Sequence, residues 1–213
     1  MTSRKLLSFV LVGVLAVAGG ALGDLARLFA RQGGATPESL FGAMAWRNIG
    51  PSRGGRTKAA AGHPSHPYTF YMGVSNGGVW KTTDAGRTWK SVWDSQPSGS
   101  IGAVVVAPSD PNTIYVGSGE GLLRPDLSTG DGMYKSTDAG KTWQHLGLDD
   151  TKQIPAILVD PKNANIVLIA AQGNVHTHTE LRGIFRSTDG GKTWAKTLYV
   201  DNETGGQDLA AAF

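Results

Sequence analysis

Two short stretches of this 213-residue chain gather side chains that can do chemistry. Residues 118–131 hold Glu120, Arg124, Asp126 and Asp131, and residues 172–182 hold Asn174, His176, His178, Glu180 and Arg182. Glu120, Asp126 and Asp131 are candidates for acid and base in glycosidic-bond hydrolysis, which needs two carboxyls about 5 to 10 Å apart across the bond. His176, His178 and Glu180 sit at alternate positions, and on an extended segment such side chains point the same way and can hold zinc. A polar loop explains those histidines without a metal, so no cofactor is expected. All nine residues are candidate ligand contacts.

A third set of chemically capable residues recurs and reads differently. Aligned on Asp84, Asp138 and Asp189, the chain repeats S/T-x-D-x-G-x-T-W three times, with spacings of 54 and 51 residues. A tight hairpin must satisfy its backbone N–H groups, and an aspartate side chain does so locally. The three aspartates are therefore expected to cap turns. Gly86, Gly140 and Gly191 supply backbone geometry that a Cβ resists, and Trp89, Trp143 and Trp194 are expected to be buried behind the turns.

The repeat extends upstream of each motif. Gly78-Val79-Trp80-Lys81, Gly132-Met133-Tyr134-Lys135 and Gly183-Ile184-Phe185-Arg186 alternate packed and wet positions, as strands do. Before them, His66-Pro67, Asp110-Pro111 and Asp160-Pro161 mark turns into a further strand, preceded by the small apolar runs 59–61, 103–106 and 156–159. Four short antiparallel strands per unit make a β-propeller blade. The units fall at about 56–96, 101–149 and 154–204, and residues 206–213 align with the opening strand of a fourth. The expected fold is all-β: an incomplete propeller over 45–213, with 24–44 as linker. Three blades do not close a ring, for which four to eight are typical, so the remaining blades of the same polypeptide are expected as a partner.

Meander topology then separates two faces. Connections from first to second strand and from third to fourth open on one side, with the repeated motif. The second-to-third connections and the inter-blade links open on the other. Residues 118–131 and 172–182 are long insertions on this variable face, where binding usually resides.

The N-terminus reads as a signal peptide over residues 1–23: Arg4 and Lys5, then an apolar run from Leu6 to Ala18, then Ala21-Leu22-Gly23 as a cleavage site. Export to the periplasm or exterior is expected, with no membrane span in the mature chain. The chain has no cysteine. Removing residues 1–23 leaves 18 basic and 17 acidic residues, a net charge of +1. With no basic stripe, nucleic acid is not an expected partner.

The three motifs, the Asp-Pro turns and Trp46-Arg47-Asn48-Ile49-Gly50-Pro51 resemble the BNR or Asp-box repeat superfamily, and within it bacterial proteins similar to the sortilin (Vps10) propeller that are often labelled glycosyl hydrolases. The resemblance implies a non-enzymatic module that binds a protein, peptide or glycan. The alternative is a xyloglucanase-like glycoside hydrolase with paired carboxylates. Sialidases share the box, but their Arg-Ile-Pro element is not matched by Arg53-Gly54-Gly55-Arg56.

Overall fold

The computed structural model describes residues 56–121 and 127–210. They form twelve strands: β1 (Thr57–Gly62), β2 (Phe70–Val74), β3 (Gly78–Thr82), β4 (Lys90–Ser91), β5 (Ile101–Val106), β6 (Ile114–Ser118), β7 (Met133–Ser136), β8 (Gln144–His145), β9 (Ala156–Val159), β10 (Val167–Ala171), β11 (Gly183–Ser187) and β12 (Ala195–Leu198). They make three four-stranded sheets, β1-β2-β3-β4, β5-β6-β7-β8 and β9-β10-β11-β12, each pairing in sequence order. Every pairing is antiparallel. This is the meander of propeller blades, and the described residues form three blades of an all-β propeller.

The blades pack face to face because alternation gives each sheet two apolar sides. Tyr71 and Val79 of blade one meet Ile101, Val104 and Ile114 of blade two in one core cluster. Tyr115 and Met133 of blade two meet Ile157, Val167, Ile169 and Phe185 of blade three in another. Close approach depends on glycine in the second strand. A Cβ at Gly73 would stand 2.6 Å from Cγ2 of Ile101, and one at Gly117 would stand 2.6 Å from Cγ2 of Ile154.

Polar stitches reinforce the apolar contact. Tyr71 and Tyr115 donate through their hydroxyls to the carbonyls of Ala139 (3.1 Å) and Ala164 (2.9 Å) in the following blade. Lys81 Nζ joins Tyr71 on Ala139 O at 2.8 Å. In the opposite direction, the Trp143 and Trp194 indoles donate to Val92 O (2.7 Å) and Leu146 O (3.1 Å) of the preceding blade. These tryptophans are half-buried and not enclosed, and the fourth strands begin one residue after them. The reason is positional: an indole that reaches across a blade junction keeps one edge in solvent.

Residues 206–210 carry no strand assignment, and 211–213 lie outside the described residues, as do 1–55. Gly206 N–H donates to Ala171 O at 2.9 Å, in the place where Ile154 N–H donates to Ser118 O at 3.1 Å. The signal-peptide and linker expectations fall on residues outside the description. Among the described residues, no helix is long and apolar enough to cross a membrane.

Candidate functional site on the variable face

The two faces are distinguished by their hydrogen bonds. On one, each box leans on the turn between first and second strands: Ala85 N–H donates to Tyr68 O, Ala139 N–H to Asn112 O and Gly190 N–H to Asn165 O. On the other, the second-to-third connections pair with the inter-blade links: Ser75 N–H to Arg56 O, Gly119 N–H to Ser100 O and Gln172 N–H to Gln153 O. The candidate loops belong to this second face.

The Asp-boxes are closed systems. Asp84, Asp138 and Asp189 each accept from the backbone N–H of Thr88, Thr142 and Thr193 at 2.9 Å. The other carboxylate oxygen accepts from the same threonine's hydroxyl at 2.6, 2.6 and 2.7 Å. Thr82, Ser136 and Ser187 donate to the aspartate and accept from the N–H of Gly86, Gly140 and Gly191. Those glycines have φ between 86° and 92°, the left-handed region that favours glycine. The threonine bonds hold Asp84 down at a pKa of about 2, and hold Asp138 and Asp189 still lower. These carboxylates have a structural occupation.

In the first inserted loop, Glu120 has no exposed side-chain surface. Arg56 grips it from blade one, with Nη2 at 2.6 Å from Oε1 and 2.8 Å from Oε2, and Nε at 3.1 Å from Oε1. Such a bidentate pair clamps the start of blade one to the blade-two loop. Asp131 accepts from Ser118 Oγ at 3.0 Å and from the Tyr134 hydroxyl at 2.6 Å. Burial, and then that bond, push the Tyr134 hydroxyl well above the ordinary phenol range. Arg124 and Asp126 lie outside the described residues. Glu120 and Asp131 are thus each committed to protein donors.

The second loop faces open space. With residues 201–207 it walls a cleft of about 450 Å³ whose lining includes Gln172, His176, His178, Arg182, Glu203 and Gln207. His178 Nδ1 stands 3.2 Å from Glu203 Oε1, so it pairs across the cleft wall. Among the described residues, no group of three or more His, Asp or Glu draws together as a metal site. Asn174 Oδ1 accepts from His176 N–H at 2.9 Å. Glu180 is exposed, and its carbonyl accepts from Lys196 Nζ. Arg182, only 8% exposed, donates to three main-chain carbonyls: Gln172 (2.9 Å), Asn174 (2.6 Å) and Thr177 (3.2 Å). The cleft thus brings His176, His178 and Arg182 together with Gln172, Glu203 and Gln207, none of which was singled out from the sequence. Their signal was faint: Gln172 borders a strand, and Glu203 and Gln207 lie on a link that looks like a plain connection.

Three stitched blades, each closed by a box and opening variable loops on the opposite face, define an Asp-box β-propeller. The family model described as "Sortilin, neurotensin receptor 3" (Sortilin-Vps10) matches residues 77–204. The chain belongs to that family. It is also similar to a xyloglucanase of a Paenibacillus species, 25% identical over 171 residues, covering 74% of this chain and 16% of the relative. A xyloglucanase of Hypocrea jecorina is 27% identical over 169 residues, covering 72% of this chain and 19% of the relative. The chain therefore spans less than a fifth of the length of these relatives. Among solved structures, an ancestral GH74 enzyme superposes with a TM-score of 0.54 at 24% identity, over 78% of this chain and 20% of that one. The GH74 xyloglucanase of Xanthomonas campestris gives 0.52 at 22% identity, over 71% and 22%. The structural likeness bears on the fold alone.

Proposed function

We propose that this protein is an exported, glycan-active β-propeller of the xyloglucanase-like glycoside hydrolase kind, which meets a β-glucan on its variable face. The observation that carries this reading is the sequence kinship to xyloglucanases along 74% of the chain. An open polar cleft on the face the Asp-boxes leave free agrees with it. Hydrolysis requires one carboxyl to protonate the glycosidic oxygen and a second to act as nucleophile or to activate water. Glu120 is fully buried and sealed by Arg56, whereas Asp131 accepts from Ser118 and Tyr134 but keeps part of its surface exposed, so the acids to test in this chain are Asp126 and Asp131.

The experiment is release of reducing ends from xyloglucan by the full chain, alongside Asp126→Asn and Asp131→Asn. Turnover lost in either variant, with an unchanged unfolding temperature, supports the reading. Saturable xyloglucan binding without turnover reassigns the chain as a glycan-binding module. A second reading, capture of a protein or peptide, is favoured by the match to the sortilin family model over residues 77–204. It gains if the chain neither cleaves nor binds the glucan.

A further inference from the structure

The cleft between residues 172–182 and 201–207 has a hydrogen-bonding character that narrows what it can hold. Its walls are fixed before any ligand arrives. Thr179 N–H donates to Asn202 O at 3.0 Å, joining the two loops, and Arg182 ties Gln172, Asn174 and Thr177 together through their carbonyls.

The acidic groups around the cleft have partners within the chain. His178 faces Glu203 at 3.2 Å. Asp201 accepts from the N–H groups of Glu203 (2.9 Å) and Thr204 (2.6 Å). Arg182, the nine-tenths-buried cation in the wall, donates from Nη1 and Nη2 to main-chain carbonyls, and its buried Nε has no hydrogen-bond partner within the chain. Unengaged acceptors stand beside it. Gln172 Oε1 is buried and has no hydrogen-bond partner within the chain. Gln207 donates its Nε2 to Gly121 O at 2.6 Å, which leaves its Oε1 as an acceptor. The ring of His176 is exposed.

Gln172 Oε1 and Gln207 Oε1 can accept, and the Arg182 Nε–H can donate. A hydroxyl supplies a donor and accepts in return, whereas a carboxylate supplies none and would set oxygen against oxygen. An ammonium would donate, but it would enter beside the buried Arg182 guanidinium. We propose that this cleft is a subsite for a neutral, polyhydroxylated saccharide, with Gln172, Gln207 and His176 as the hydroxyl-binding groups and Arg182 as the residue that positions Gln172. This rests on the glycan reading above and adds to it a location and a charge class. The lining includes no tryptophan, tyrosine or phenylalanine. With no aromatic face for a sugar ring to stack on, affinity from hydrogen bonds alone should fall near the millimolar range, about 4 kcal/mol of binding free energy.

The test is an NMR titration of the full chain with two probes, a xyloglucan-derived oligosaccharide and an oligogalacturonate of similar length. The neutral probe is expected to shift resonances of residues 172–182 and 205–207, and Gln207→Ala to weaken it about tenfold without lowering the unfolding temperature. Arg182→Lys keeps the charge but loses the three-carbonyl grip, and should weaken binding as much, with no change in preference between probes. Binding of the neutral probe that Gln207→Ala leaves intact overturns this site while the glycan reading stands. Preference for the oligogalacturonate overturns the charge class. Binding of neither probe overturns both the site and the glycan reading.

Discussion

The two faces of these blades treat polar groups in opposite ways. On the Asp-box face, each aspartate carboxylate and the Ser or Thr hydroxyls that bond to it find their partners within the eight residues of the motif. On the variable face lie all the buried side-chain atoms without a partner among the described residues: Ser75 Oγ, Ser98 Oγ, Ser100 Oγ, both amide atoms of Gln153, Gln172 Oε1 and Arg182 Nε. An unpartnered buried polar atom costs stability, about 1 to 3 kcal/mol each. The difference shows that the repeat holds turn chemistry closed on one side and leaves hydrogen-bonding capacity unused on the other.

The largest expected effect tests whether the variable face is held by its own strong bond. Glu120 is fully buried, whereas the Arg56 side chain is 42% exposed. Arg56→Ala leaves a carboxylate buried without its cation and should destabilise the chain by about 3 kcal/mol. Glu120→Gln leaves a cation that water can still reach and should cost less. Urea unfolding of both variants measures the asymmetry. Equal losses would mean that the loop relaxes around the pair, and that the variable face is not anchored there.

A smaller effect bears on the closed face, through acid. The Asp-box carboxyls titrate below their unfolded value because threonine donors favour the ionised form. A depressed folded pKa contributes stability that is complete above the unfolded pKa, near 3.9, and is lost as pH falls through the folded one. For Asp84 that window runs from about pH 4 down to about 2, and for Asp138 and Asp189 it reaches lower. Unfolding temperature against pH should therefore fall across this range, and replacing the three aspartates with asparagine should flatten the fall. An acid limb unchanged in the triple variant would place the acid-sensitive groups elsewhere.

The closed face was also the legible one. The motif repeated three times specifies a turn because its Ser or Thr, Asp and Thr side chains act within their own hairpin, so the Asp-boxes and strand order could be read from local pattern. The stitches were hidden. That Trp143 and Trp194 donate to the preceding blade, or that Trp89 donates instead to Gly86 O of its own box at 3.1 Å, depends on what lies across the junction. The same limit applied to the variable face. Glu120 looks like a free loop acid until Arg56, 64 residues earlier, is placed on it. Gln207 acquires meaning only when its amide meets Gly121, 86 residues away. Loop composition located the face, but not which of its polar groups were already in use.

The smallest effect separates the boxes from one another. The residue after the aspartate is Ala85 in blade one, Ala139 in blade two and Gly190 in blade three, with φ of 60°, 60° and 77°. Left-handed geometry costs a residue with a Cβ about 1 to 2 kcal/mol, and glycine returns about 0.4 to 1 of that through the greater freedom of its unfolded chain. Ala139→Gly should therefore stabilise by about 0.5 to 1 kcal/mol. Its backbone bonds to Asn112, Tyr71 and Lys81 involve only main-chain atoms of residue 139 and survive the change. The reciprocal change is not symmetrical. A Cβ at Gly190 would stand 2.7 Å from both Asn165 Oδ1 and Lys135 Nζ, so Gly190→Ala pays the backbone cost and also displaces the lysine that reaches over from blade two. It should destabilise by more than Ala139→Gly stabilises, as thermal unfolding of the two variants will show; equal and opposite shifts would mean that Asn165 and Lys135 make room for the added methyl at no cost.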